Sequence, residues 1–139
     1  MSSTRPLSPH LSVYRWRVNM LQSVLHRLTG LFLCLGALLM AWGLIAAGTG
    51  QWAWRVFAGF CGSWFGVLLL VLWTWSLLFH LCNGIQHLVR DMGMNFGPST
   101  RDRSHKPVYW SAGWMVIGAS LILTMLVWVI LTLQAGGSP

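Results

Sequence analysis

The sequence holds 139 residues, 55% of them hydrophobic and only 8% charged, where an ordinary soluble domain carries roughly 25% charge. Its apolar residues run in uninterrupted blocks rather than periodic half-buried patterns, which excludes a water-soluble globular fold and makes lipid the expected solvent. Nine Lys or Arg stand against two acids, a formal charge of +7; that balance suits nucleic acid or anionic lipid, but no basic face remains for nucleic acid once the loops lie along a membrane surface.

Residues 1–27 mix Arg15, Arg17, His26 and Arg27 with Val13, Tyr14, Trp16 and Leu25. They read as a cytoplasmic, interfacial segment leading into the first helix, with a disordered basic tail as the alternative for residues 1–12. Ser23, His26, Arg27 and Gly30 fall at i, i+3, i+4 and i+7 and share one helical face. A hydroxyl and an always-charged guanidinium at that depth can hold a carbonyl or a carboxylate. The plainer alternative is an arginine snorkelling to lipid phosphate, with Ser23 as a helix cap.

Residues 28–47 form the first expected span, longer than the apolar core of a cleaved signal peptide. The turn-rich Gly48-Thr49-Gly50-Gln51 follows, ringed by Trp42, Trp52 and Trp54 as at an outer membrane interface. The second span, residues 56–85, lies in a charge-free stretch longer than a bilayer needs, so its helix is expected to tilt or project. An ionisable side chain within a span costs about 2.5–3.5 kcal/mol on insertion scales and calls for a partner or a function. His80 is the deepest, ten residues and so about 15 Å before Arg90. Gly84, His87 and Asp91 follow at i+4, i+7 and i+11 on the same face. Glycine leaves room for a flat ligand. One strong ligand deep and one polar contact shallow is what a haem requires, with iron inward and propionates outward. The alternative is a histidine that hydrogen-bonds a neighbouring helix.

Residues 92–107 turn polar, with Gly93, Gly97, Pro98 and Pro107 as breakers, and read as a cytoplasmic loop. The third span, residues 110–133, opens with Trp110 and Trp114 at the inner interface and carries no ionisable group, so it reads as scaffold. The expected fold is an all-α membrane protein with three transmembrane helices, residues 28–139 forming one domain within a heteromeric bundle. Of the nine basic residues, four precede the first block (Arg5, Arg15, Arg17, Arg27), four lie between the second and third (Arg90, Arg101, Arg103, Lys106), and only Arg55 lies between the first and second. That bias places the N-terminus in the cytoplasm and the C-terminus outside. Cys34, Cys61 and Cys82 are isolated in apolar runs and read as small buried hydrophobes, neither disulfides nor cluster ligands.

Three stretches carry a resemblance: residues 5–14 (Arg-Pro-Leu-Ser-Pro-His-Leu-Ser-Val-Tyr), Ser23-Val24-Leu25-His26-Arg27-Leu28-Thr29-Gly30, and residues 80–91 with His80, Gly84, His87 and Asp91. Together the S-x-x-H-R-x-x-G and H-x-x-x-G-x-x-H-x-x-x-D elements resemble the cytochrome b556 subunits of succinate dehydrogenase, in order and over nearly the whole chain. The resemblance implies that His80 is the axial ligand of haem b and that His26 and His87 lie near its propionates. It implies Ser23 and Arg27 as ubiquinone-site residues, with Arg27 also close to a propionate. It further implies flavoprotein and iron–sulfur partner subunits that oxidise succinate, and a second small membrane anchor subunit that supplies the other haem ligand. Two positions depart from the family pattern. Gln86 stands where the family often has Arg, and Arg90 where a Trp often precedes the aspartate. The arginine's contact is thereby in question, and Arg90, at i+4, could restore its charge.

Two axial imidazoles must approach iron from opposite faces, whereas His80 and His87 project from one face of one helix, about 10.5 Å apart along it. His26 is expected to be too shallow to oppose His80. A resemblance that begins at Arg5 leaves no room for a presequence, so a bacterial inner membrane is the expected location. The competing functions are a fumarate reductase anchor running the same chemistry backwards, a small transporter with His80 as proton relay, and a haem-free assembly protein. Against the transporter stand the non-ionisable third span and the lack of inverted repeats.

Overall fold

Lipid offers no hydrogen bonds, so each apolar block must satisfy its backbone within itself and becomes a helix. The computed structural model describes residues 16–93 and 109–137, with the side chains of Tyr109 and Trp110 left aside. The four helices run α1 (Val18–Thr49), α2 (Gln51–Gly62), α3 (Trp64–Asp91) and α4 (Tyr109–Gly136). Three of them, α1, α3 and α4, contain segments long and apolar enough to cross a membrane. Residues 1–15 of the expected interfacial segment, and residues 94–107 of the expected loop, lie outside the described residues.

The first helix departs from expectation at its start. Residues 18–27 are not a separate interfacial segment but the opening turns of α1, whose 32 residues extend about 48 Å, well beyond a hydrocarbon core of about 30 Å. Its N-cap is Arg17, so Ser23 sits inside the helix and cannot be the cap. Gly50, at φ 139°, ends α1 in a conformation L side chains rarely adopt.

The second block also differs. Instead of one long tilted helix, the surplus apolar length forms α2, and the chain breaks at Ser63, whose backbone is extended (φ −68°, ψ 155°). The Ser63 hydroxyl accepts the Gly66 N–H at 3.1 Å, an N-cap for α3. A Cβ at Gly66 would overlap the Phe60 carbonyl oxygen, so the tight bend depends on that glycine. Trp42, Trp52 and Trp54 are exposed around the α1–α2 turn.

Helix α3 packs against both α1 and α4. On α1 the buried residues Gln22, Thr29, Gly36 and Gly43 recur every seventh residue, the period of a helix seam. Their partners descend as the seam rises: Gln22 meets Asn83 and Gln86, Thr29 meets His80, and a Cβ at Gly36 would lie inside the Trp73 indole. The two helices are therefore antiparallel, with backbones brought close by small residues. On α4 the buried Ala112, Val116, Ser120 and Thr124 recur every fourth residue. This seam is narrow and made of small and hydroxyl side chains, each hydroxyl bonding a carbonyl of its own helix.

The distribution of side chains is the reverse of a soluble protein's. Among the described residues the buried apolar set is Val18, Ala46, Phe79, Ala112 and Val116, whereas Leu, Ile, Met and Trp are widely exposed. The cysteines are free; Cys61 and Cys82 are half-buried, but Cys34 is exposed and so is not the buried hydrophobe expected. It lies off the every-seventh seam of α1, which turns it away from α3.

Candidate functional site

The antiparallel register of α1 and α3 brings His80 level with Thr29 and Gly30. The His26 and His80 rings stack face to face, centroids 3.8 Å apart and planes 11° from parallel. His26 is therefore at the depth of His80, not shallower as its neighbour Arg27 implied. The seam of α1 turns His26 inward while Arg27 stays exposed. His87 lies 5.8 Å from His26 with its ring tilted by 53°, so the three imidazoles form a column between the helices. A Cβ on Gly30 would come within 3.2 Å of His80 Cε1, and Thr29 Oγ1 lies 3.3 Å from His80 Nδ1.

Parallel stacking has a consequence for ligation. The lone pair of an imidazole lies in the ring plane, so two rings stacked at this distance cannot aim at one iron from opposite sides. His26 does not face His80 across a gap; it lies flat against it, and stacking rather than want of depth sets it apart from an opposing position.

The remaining expected residues divide by exposure. His26, His80 and Gly84 are half-buried, while Ser23, Arg27, His87 and Asp91 are exposed. The structure thus gathers His26, His80 and His87 into one group and leaves Ser23 and Arg27 on its open flank. At Gly84 a Cβ would meet nothing within 4 Å, so this chain's own packing does not require glycine there. His26 Nδ1 and Arg90 Nη2 are buried without a hydrogen-bond partner. An apolar groove of about 330 Å³ borders the column on its deeper side, lined by Leu25, Leu28, Phe32, Leu72 and Trp75 with Thr29 and Ser76.

Sequence reasoning missed a polar cluster beside the histidines. Gln22 Nε2 donates to Asn83 Oδ1 at 3.0 Å and to Gln86 Oε1 at 2.9 Å, all three side chains buried. A Cβ on Gly113 of α4 would lie 2.8 Å from Gln22 Oε1, so all three spanning helices converge here. The signal was available: Gln22, Asn83 and Gln86 are uncharged amides set among apolar residues. Gln86 faces α1 and is committed to that packing. Gln22→Leu is expected to destabilise the assembled complex by about 1–3 kcal/mol, since two buried carbonyl oxygens lose their donor. A lowered thermal midpoint of the detergent-solubilised complex is the measurement, and an unchanged one would show the amides to be indifferent.

A family model described as the succinate dehydrogenase/fumarate reductase transmembrane subunit matches residues 1–127. The chain belongs to that family. It is 38% identical over 125 residues to a succinate dehydrogenase cytochrome b556 subunit of Rickettsia felis, covering 90% of this chain and 91% of the relative. It is 33% identical over 126 residues to the subunit of the same name in Paracoccus denitrificans, covering 91% of each. A mitochondrial succinate dehydrogenase cytochrome b560 subunit of Sus scrofa is 33% identical over 101 residues, 67% of this chain and 56% of the relative. As a transmembrane subunit of this family the chain is a membrane-embedded part of an oxidoreductase complex, which accords with its three apolar helices.

Proposed function

We propose that this chain is the anchor subunit of a succinate dehydrogenase, binding haem b and ubiquinone in a bacterial inner membrane. The observation that carries this reading is the histidine column between α1 and α3, with Gly84 open beside it. The residues fit a haem: a half-buried imidazole within a span, an adjoining apolar groove, and the unpartnered polar atoms His26 Nδ1 and Arg90 Nη2. When bound, haem b supplies a one-electron carrier. His80 would hold its iron, and His26, His87, Arg27 and Arg90 are the polar groups at hand for its propionates. A second small membrane subunit would supply the ligand that this chain does not. Gly84 leaves the face of α3 clear for the flat ring.

At the open flank the Ser23 hydroxyl would donate to a ubiquinone carbonyl, and Arg27 would steady the negative charge that reduction places there. Succinate is oxidised in the flavoprotein subunit, and an iron–sulfur subunit docked on the cytoplasmic side delivers the electrons. A fumarate reductase anchor is the second reading, because the matching family covers both enzymes; partners and quinone potential set the direction.

The test is a visible absorption spectrum of the intact complex extracted from membranes. Low-spin b-type bands are expected, and their absence would leave a haem-free anchoring protein. The charge bias places the N-terminus inside and the C-terminus outside. A C-terminal reporter active only in the cytoplasm is thus expected to be silent, and full signal would overturn the three-span orientation.

A further inference from the structure

We propose that Thr29 is a positioning residue for His80: its hydroxyl oxygen accepts the His80 Nδ1–H and so holds the imidazole in the tautomer that leaves Nε2 bare for iron. The inference rests on the haem reading above, but its argument is a count of protons. A threonine hydroxyl has one hydrogen and two lone pairs. Thr29 Oγ1 lies 2.8 Å from the Leu25 carbonyl oxygen and 3.1 Å from that of His26. Both are acceptors only, so the hydroxyl hydrogen is committed to the preceding turn of α1. Toward His80 Nδ1, at 3.3 Å, the oxygen has only a lone pair to offer. The proton between them must therefore belong to the imidazole.

A neutral imidazole carries one ring proton. With that proton on Nδ1, Nε2 is the unprotonated nitrogen that a metal requires. Thr29 is only 3% exposed, so water does not compete for the bond, and its β-branch limits its rotation within the helix. The stacked His26 ring packs on one face of the imidazole, and at Gly30 the ring comes so near that a Cβ there would lie 3.2 Å from Cε1, so the ring has little room to turn over. Accepting the Nδ1–H also makes the imidazole a more basic ligand, which favours the more highly charged, oxidised iron. Removing the acceptor should raise the haem reduction potential.

The experiment compares Thr29→Val, Thr29→Ala and Thr29→Ser in the intact complex by haem content, visible spectrum and redox titration. The share of succinate oxidation, with a soluble acceptor, that stays with the membrane fraction serves as the measure of assembly. Val and Ala variants that assemble normally are expected to show a midpoint potential shifted upward, or to lose the low-spin band, while Ser restores both to wild type. A wild-type potential in Val or Ala overturns the proposal. So does a Ser variant shifted as far as Val, or loss of assembly in both Val and Ala, which would make Thr29 a packing residue. An intact wild-type complex without haem, or a wild-type spectrum in His80→Ala, would instead defeat the haem reading and leave the Thr29–His80 hydrogen bond standing.

Discussion

His80→Ala is expected to abolish or convert the low-spin b-type spectrum of the intact complex. Truncation removes the imidazole that, among the described residues, is held at both ring edge and ring face, by Thr29 and by His26. No neighbour can take its place, because His26 presents its face to the same column and His87 is exposed on the far side of it. A ligand lost from iron is not a graded effect, so the change should be near complete. His87→Ala should perturb the spectrum only mildly. The chain expressed without its membrane partner should lack a stable low-spin haem, since stacked rings cannot supply both axial bonds. An unaltered spectrum in His80→Ala would remove the central assignment.

Arg27→Ala is expected to lower succinate–quinone reductase activity by roughly 10- to 100-fold, equivalent to about 1.5–3 kcal/mol for a hydrogen bond to a charged donor. Ser23→Ala removes a neutral hydrogen bond of order 1 kcal/mol and should cost about fivefold. Both residues are exposed on the flank of the histidine column, so neither truncation opens a cavity in the bundle. Succinate oxidation with a soluble acceptor should therefore be retained. If both activities fell together, the two residues would be structural and the quinone assignment wrong.

The number of membrane-spanning helices and their antiparallel layout are legible in the apolar blocks, and His80 stands out because insertion cost makes an ionisable group conspicuous in an apolar sequence. The same emphasis hid other features. Polarity at Arg27 and its neighbours points to a first span starting at residue 28, but helicity depends on backbone satisfaction, and α1 begins ten residues earlier at Val18. The break at Ser63 was masked by hydrophobicity on both sides; its only marks were Gly62, Ser63 and Gly66, a cap and a close approach that a search for charges passes over. Depth counted from Arg27 puts His26 shallow, whereas the heptad seam turns it onto His80. Thr29, Gln22 and Asn83 carry no charge and so drew no attention, although they bind α1 to α3 most directly.

The nearly empty apolar interior bears on any attempt to engineer the chain for water. A soluble protein survives extensive recoding of its surface because its core, gathered by the hydrophobic effect, remains. Here the buried apolar side chains among the described residues are five, and many contacts between the spanning helices are made by small residues and amides that gain little from exclusion of water. Replacing the lipid-facing leucines and tryptophans with charged residues would thus yield a polar chain with almost nothing to bury, and its helices would part. A water-soluble analogue needs a new core designed between α1, α3 and α4, at the expense of the amides that now occupy that place.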